Sequence, residues 1–417
     1  MRLAPALTVA LLASGCGATT ALDIPPAPPC ETPEPNVPRP ARCDRVLLGP
    51  PIALTDEPAP GALRTVDTLD AASISEGARV VLQVRDEARG RVEVQALTLD
   101  ASGRARAAAE PIVGLPALAG TSLTEPSALG WGCGDAVLAG LSSTAASGPT
   151  RSECALRIQD GGRTRRVAIA SSEACADLAW DGEALSLLAS WPGERLALVH
   201  VSLEGELERT SLELPASGET SWSIDRRWRQ APSGPGAWLW PVARNPSGGA
   251  LLPLDASGRF GTPIELTSRV LFDVRWAVDD AGRRWIVWAE SESAADRGRR
   301  EDVRMAQLDA EGRIAEPVAV EIPAGALLSS TDSRALWLAD RLALAVHDPL
   351  ADETSIVLVD SAGRAHERLS LGSGRTTELV AAPGGALVLH AEARTVERAG
   401  LTVTLGEVLV SRTLACE

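Results

Sequence analysis

The 417-residue sequence predicts an all-β fold, a β-propeller of seven blades with four antiparallel strands in each. Three observations lead there. A turn signature recurs, as Leu99-Asp100-Ala101-Ser102-Gly103-Arg104, Leu254-Asp255-Ala256-Ser257-Gly258-Arg259, Leu308-Asp309-Ala310-Glu311-Gly312-Arg313 and Val359-Asp360-Ser361-Ala362-Gly363-Arg364, with looser copies at Asp160-Gly161-Gly162-Arg163, Leu203-Glu204-Gly205 and Leu405-Gly406-Glu407. Counted from Asp100, the steps to Asp160, Glu204, Asp255, Asp309 and Asp360 are 60, 44, 51, 54 and 51 residues, and 46 more reach Gly406. Apolar residues alternate with polar ones, as in Val92 to Leu99, and the body has no sustained 3.6-residue period. The two irregular steps leave six or eight blades as alternatives.

The first elements lie outside the ring. Arg2 and the apolar run Leu3 to Leu12 form the charged start and short hydrophobic core of a secretory signal, too short to span a bilayer. It ends in Leu12-Ala13-Ser14-Gly15-Cys16. That stretch resembles the bacterial lipobox, which implies cleavage after residue 15 and a lipid on Cys16. Ala13 stands where the usual Leu precedes the Cys by three. Residue 17 is Gly rather than Asp, which points to the outer membrane, with a secreted, unlipidated protein as the alternative. Eight of the residues from Pro25 to Pro40 are proline, so residues 16–44 read as an extended tether that carries a body at 45–417.

Within the body each repeat has the same order. It is plainest in Phe272-Asp273-Val274-Arg275-Trp276, Arg284-Trp285-Ile286-Val287-Trp288, Val303 to Leu308, a turn, and Pro317 to Val320. In the turn, Asp or Ser can bond its own backbone while Gly supplies positive φ, the chemistry of a hairpin connection.

Trp180-Asp181-Gly182 followed by Leu185 to Leu188, and Trp276 through the Gly282 turn to Ile286-Val287-Trp288-Ala289-Glu290, resemble a repeat common in secreted bacterial β-propellers. There an inner strand ends in Trp-Asp-Gly, a second runs aliphatic-aliphatic-Trp and a third leads to Asp-x-x-Gly. Ser127 to Trp131, Ala335 to Trp337 and Leu379 to Ala382 are eroded inner strands of the same kind. The resemblance implies a scaffold and no particular activity.

Closure of the ring needs its ends to meet. Leu48 to Thr55 matches outer strands such as Gly261 to Thr267, which would place it beside Val408 to Leu414 in the last blade. Cys416 then comes near Cys43 or Cys30. Cys154 opens a third strand and Cys175 the next first strand, which puts both on one face and makes them a candidate disulfide. Cys133 is left open.

The formal charge is −15, the footprint opposite to one for nucleic acid. No Lys or Tyr occurs, and the 40 basic residues are all Arg; a GC-rich genome accounts for that pattern. His200, His347, His366 and His390 stand in no metal-ligand spacing, and adjacent His347 and Asp348 point opposite ways in a strand, against an acid–base pair. No Gly-x-Ser-x-Gly elbow, phosphate loop or dinucleotide fingerprint is present, so neither catalytic residue, metal nor cofactor is assigned. The recurrent Asp residues are explained by turn geometry, while acids from separate blades would leave no spacing to read.

One surface is singled out for a ligand: Trp222 and Trp228 with Arg226, Arg227 and Arg229. Inter-blade packing is the competing use for the Trp residues and mutual neutralisation by neighbouring acids for the Arg residues. The expected role is a lipid-anchored binding or assembly scaffold of the cell envelope, its partners the membrane and an envelope protein or glycan. The alternative is a propeller hydrolase or lyase of carbohydrate.

Overall fold

The computed structural model describes residues 43–55, 64–75, 77–86, 90–116, 121–131, 134–143, 151–160, 163–169, 174–190, 196–213, 221–223, 231–234, 237–245, 247–255, 257–296, 301–309, 312–328, 334–374, 377–398 and 401–417. They form seven antiparallel sheets in chain order. Blade 1 has strands Arg64–Ile74, Gly77–Asp86, Arg91–Asp100 and Glu110–Pro116; blade 2 has Thr121–Trp131, Gly134–Ser143, Arg151–Asp160 and Arg163–Ala168. Blade 3 follows with Ala174–Trp180, Ala184–Ser190, Ala197–Ser202 and Leu207–Ser211. In blade 4 the first strand is split into Ser221–Ser223 and Ala231–Gly234, ahead of Ala237–Asn245, Gly249–Leu254 and Ile264–Thr267. Blade 5 comprises Val270–Val278, Arg284–Ser291, Asp302–Leu308 and Val318–Ala319, and blade 6 Leu336–Leu338, Arg341–Asp348, Glu353–Val359 and Ala365–Gly372. Blade 7 takes Thr377–Ala382, Gly385–Arg398 and Leu401–Cys416 from the end of the chain and its outer strand, Val46–Leu48 and Ile52–Ala53, from the beginning.

That last blade closes the ring. Val46 pairs with Cys416, Leu48 with Leu414 and Ile52 with Ser411. The seventh repeat therefore has no third-to-fourth turn, and Gly406, which the spacing assigns to one, lies inside a long strand at a register shift. The other spacing-assigned turns hold, with a change in blade 3: Ser202, not Glu204, caps the turn, accepting at its Oγ from the Glu206 N–H.

The repeated turn is explained by its Asp. Asp100 Oδ1 accepts from the N–H groups of Ser102 and Arg104, Asp255 from those of Ser257 and Arg259, and Asp360 from those of Ala362 and Arg364. Gly103, Gly258, Gly312 and Gly363 all take φ near +80°, where a side chain is strained. At Gly363 an added Cβ would also lie 2.0 Å from the Ala319 carbonyl oxygen of blade 5, so the turn seats directly on the neighbouring blade.

Both faces of the second strands are buried, which is why they read as apolar runs rather than alternations. In Arg284–Ser291, Trp285, Val287 and Ala289 pack toward blade 6 while Ile286 and Trp288 pack toward blade 4. Among the described residues an apolar cluster fills each of the seven interfaces, including that between blades 7 and 1. First strands face the axis, and the turns of the Asp-x-x-Gly type share the lower face. The second-to-third connections lie on the upper face. No helix among the described residues is long and apolar enough to cross a membrane.

Two disulfides join these parts. Cys43–Cys416 ties the outer strand of blade 7 to its neighbour across 373 residues, and Cys154–Cys175 staples blade 2 to blade 3. Such bonds belong to an oxidising compartment outside the cytoplasm.

Candidate functional site

At the centre of the ring three charged side chains from three blades meet. Asp70 sits in the first strand of blade 1, just past a register shift between Val66 and Thr68 that turns it toward blade 2. Its Oδ1 accepts from the Ala71 N–H and its Oδ2 from the Ala128 N–H of blade 2, both at 2.7 Å. Arg334, two residues ahead of the first strand of blade 6, reaches across the axis: one guanidinium nitrogen stands 3.4 Å from Asp70 Oδ1 and 3.2 Å from the Ala128 carbonyl oxygen. Its Nε lies 3.5 Å from Oε1 of Glu378, in the first strand of blade 7. Asp70 and Glu378 are 1% and 0% exposed, whereas the Arg334 side chain is 34% exposed.

A related device ties blade 5 to blade 6. Asp273 Oδ1 accepts from the Val274 N–H, as Asp70 does from Ala71, but its Oδ2 accepts from Arg275 Nε, and Arg275 carries the link onward to the carbonyls of Ala345 and Leu328. On the lower side Asp135 accepts from Arg79 of blade 1 and Arg157 of its own blade. Buried charges in this ring are thus matched across blade boundaries.

The histidines are structural. His390 Nδ1 meets Thr377 Oγ1 at 2.8 Å and its Nε2 meets the Ser373 carbonyl at 3.0 Å; His347 bonds Thr354, whose hydroxyl donates to the Gly374 carbonyl. Together they hold the segment leading into Glu378. Asp348 caps a separate turn through the N–H groups of Leu350 and Ala351, so His347 and Asp348 form no pair. His200 bonds Ser186, and His366 lies 3.1 Å from Asp360.

Asp360 is a strongly perturbed acid. Burial pushes its pKa upward, but hydrogen bonds from His366, from Arg364 and from the Ala362 N–H outweigh that and hold it well below the ordinary carboxylate range. Asp279, in the first-to-second turn of blade 5, is likewise lowered: burial opposes, and the Trp285 indole and Arg283 prevail. Both serve turns.

Tryptophan mostly fills interfaces. Trp238, Trp240 and Trp288 are at most 1% exposed. Trp131 of blade 2 stacks on Trp180 of blade 3 with centroids 4.8 Å apart, and Trp285 of blade 5 meets Trp337 of blade 6 at 5.1 Å. Of the predicted ligand surface, Trp222 lies in the split first strand of blade 4, opposite Arg244. Trp228, Arg226, Arg227 and Arg229 lie outside the described residues, as do Cys16, Cys30 and Cys133.

A cleft of about 420 Å³ runs beside blade 5, lined by Glu301, Arg304, Val320, Glu321, Pro323 and Ala326 among others. No group of three His, Cys, Asp or Glu side chains placed to hold a metal ion occurs among the described residues. The central cluster was not legible as a site in the sequence, though acids at Asp70, Asp177, Asp273 and Glu378, on the first strands of blades 1, 3, 5 and 7, were a signal.

Fold and cluster together define a seven-bladed, velcro-closed β-propeller. No family model matches the chain, and no curated protein matches it. Solved structures do share the fold. The BP39L lectin from Burkholderia pseudomallei is 14% identical, with a TM-score of 0.51 over 82% of this chain and 99% of that one. A protein of unknown function from Dyadobacter fermentans is 11% identical, with a TM-score of 0.48 over 89% and 99%. The β-propeller domain of the Trilobed protease from Pyrococcus furiosus, of open velcro topology, is 12% identical, with a TM-score of 0.41 over 82% and 97%.

Proposed function

We propose that the chain is a lipid-anchored propeller of the bacterial cell envelope that acts as a binding or assembly scaffold. Residues 1–15 are its signal peptide, residues 16–44 its tether with the lipid on Cys16, and residues 45–417 its ring, of the secreted bacterial repeat type. The observation that carries the scaffold reading is the state of the central acids. Asp70 and Glu378 are sealed from solvent and engaged by Arg334, and Asp70 by two backbone N–H groups as well, which suits a group that joins blades. A general acid or nucleophile must reach its substrate. Burial of Trp238, Trp240 and Trp288 between blades supports the same reading.

The outer membrane is the expected address, and an envelope protein or glycan the expected partner. Mass spectrometry of the mature N-terminus tests the anchor: a diacylglyceryl-modified Cys16 is expected, and an unmodified start downstream of it would refute the anchor.

One observation favours a second reading, a hydrolase or lyase of envelope or extracellular carbohydrate. Two carboxylates and an Arg converge between three blades, and Arg334 is partly open. Turnover of a polysaccharide panel that Asp70→Asn and Glu378→Gln abolish, with melting unchanged, would establish it. The scaffold reading expects no turnover and a lowered melting temperature.

A further inference from the structure

Seven cysteines occur in the chain, and the structure pairs four of them, as Cys43–Cys416 and Cys154–Cys175. Cys16 is set apart by its place at the end of the signal. Cys30 and Cys133 remain, both outside the described residues, and where each can go follows from its neighbours along the chain.

Cys133 is narrowly placed. Trp131 pairs with Gly134 across the first-to-second turn of blade 2, which leaves Gly132 and Cys133 as the whole connection. Both flanks are fixed: Trp131 stacks on Trp180 of blade 3, and its indole lies so close over Gly134 that an added Cβ would run into it. In an antiparallel blade that turn falls on the same face as the third-to-fourth turns, the lower one. Cys154 and Cys175 stand at the other end of their strands. Cys154 is opposite Gly140 while Gly134 begins that strand, a separation of about 20 Å at about 3.3 Å per residue, whereas bridged Cα atoms stand within about 7 Å. Cys133 is therefore out of reach of that bridge.

Cys30 can reach it. The chain enters the ring on the lower face: Cys43 donates its N–H to Asp340 Oδ1, in the first-to-second turn of blade 6, and its partner Cys416 follows Ala415, which pairs with Gly385 at the corresponding turn of blade 7. Strands about 4.8 Å apart within a blade and sheets about 10 Å apart put the inner end of blade 2 within about 35 Å of the outer strand of blade 7. The stretch from Cys30 to Cys43 includes Pro33, Pro35, Pro38 and Pro40 and spans about 40 Å at about 3.1 Å per residue. That length suffices.

We propose that Cys30 and Cys133 form a third disulfide, which fastens the tether to the lower face of the ring at blade 2. The two bridges already present belong to an oxidising compartment, where an even set of thiols closes into bridges. The step is thiol–disulfide exchange with a disulfide oxidant of that compartment. One cysteine thiolate attacks the oxidant's S–S bond, and the second displaces the oxidant from the mixed disulfide; the new Sγ–Sγ bond forms, and the oxidant leaves as a dithiol with the two electrons and two protons. The bond stands whether or not Cys16 carries a lipid. On the lipid-anchor reading above, it leaves only residues 17–29 between the membrane and the ring and turns the lower face toward the anchor.

Peptide mapping of the exported full chain carrying Cys16→Ser, alkylated and digested with trypsin without reduction, is the test. The chain has no Lys, and Arg42, Arg45, Arg106, Arg151, Arg157, Arg166, Arg195 and Arg412 let trypsin place each of the remaining cysteines in a peptide of its own. The 107–151 peptide is expected linked to the peptide that ends at Arg42, in a species that runs as a monomer on non-reducing gels. Cys30→Ser should expose one maleimide-reactive thiol, at Cys133, and Cys133→Ser one at Cys30, where the parent shows none. Two reactive thiols in the parent, or either cysteine linked to a second copy, would overturn the proposal. Wild-type chain solubilised from membranes separates the bond from the anchor: a reactive Cys16 there refutes the lipid and leaves the bond standing.

Discussion

Breaking the ring-closing disulfide should cost the protein more than breaking the inter-blade staple, by an amount set by loop length. Cys43–Cys416 closes a loop of 373 residues and Cys154–Cys175 one of 21. Cross-linking removes chain entropy from the unfolded state in proportion to the logarithm of loop length, which gives about 6 kcal/mol at 25 °C for the first bridge and about 3 kcal/mol for the second. Unfolding entropy near 2.1 cal/mol/K per residue, over the 373 residues spanned, converts these to drops in melting temperature of about 8 °C and about 4 °C. The variants are Cys43→Ser with Cys416→Ser, and Cys154→Ser with Cys175→Ser, compared by scanning calorimetry under non-reducing conditions. Strand pairing of Val46–Leu48 with the end of blade 7 persists in the first variant, so its ring should still form. An equal or smaller shift for the ring-closing pair would refute the entropic argument and place the stability in native contacts instead.

Three further outcomes follow from the same geometry. Gly363→Ala should destabilise more than Gly282→Ala: both glycines have φ near +75°, costing about 1 kcal/mol, but only at Gly363 does the new Cβ meet a carbonyl, while Gly282 has open space; equal losses in chemical denaturation would count against the turn as an inter-blade seat. Arg334→Met should cost on the order of 2 kcal/mol, the low side of breaking a buried pair because the arginine is a third exposed, and the added Glu378→Gln should recover part of it; a neutral Arg334→Met would remove the cluster's structural role. Asp360 titrates low in the fold and at its ordinary value when unfolded, so its contribution is present above about pH 4 and fades as pH falls below it. Asp360→Asn should therefore flatten the acid limb of melting temperature against pH, and an unchanged limb would refute the assignment.

Local chemistry was legible and long-range juxtaposition was not. Asp100, Asp255 and Asp360 announce their turns because one side chain bonds its own backbone two and four residues on, and Asp309 bonds it four residues on, a relation that lies wholly within a short window of sequence. Blade 3 obeys the same physics through Ser202, whose weaker signal the spacing placed at Glu204. Gly406 failed for a topological reason: the seventh outer strand comes from Val46–Leu48, so no turn is required there, and a glycine at a bulge imitated one. The central cluster joins Asp70 to Arg334 across 264 residues, and nothing near either one marks the other. Both middle-strand faces are buried between blades, which made Trp285 and Trp288 easy to place on strands but left their interface partners unreadable.

The division between constant and variable parts of the ring bears on where a ligand would sit. On the lower face one hairpin is repeated, Asp bonding its own turn and Gly seated against the neighbouring blade, as at Gly258 on Thr210 and Gly363 on Ala319. A substitution there disturbs an interface, which ties that face to stability. The second-to-third connections of the upper face range from two residues between Arg398 and Leu401 to ten between Ser291 and Asp302. Length variation among connections on a rigid frame is how one fold accommodates different partners. The upper face also holds the end of the long strand pair of blade 7, where Arg398 lies opposite Leu401, and the segment gripped by His347 and His390 that leads to Glu378. Recognition is therefore to be sought by substituting upper connections, where loss of binding without loss of melting temperature separates a contact from a structural tie.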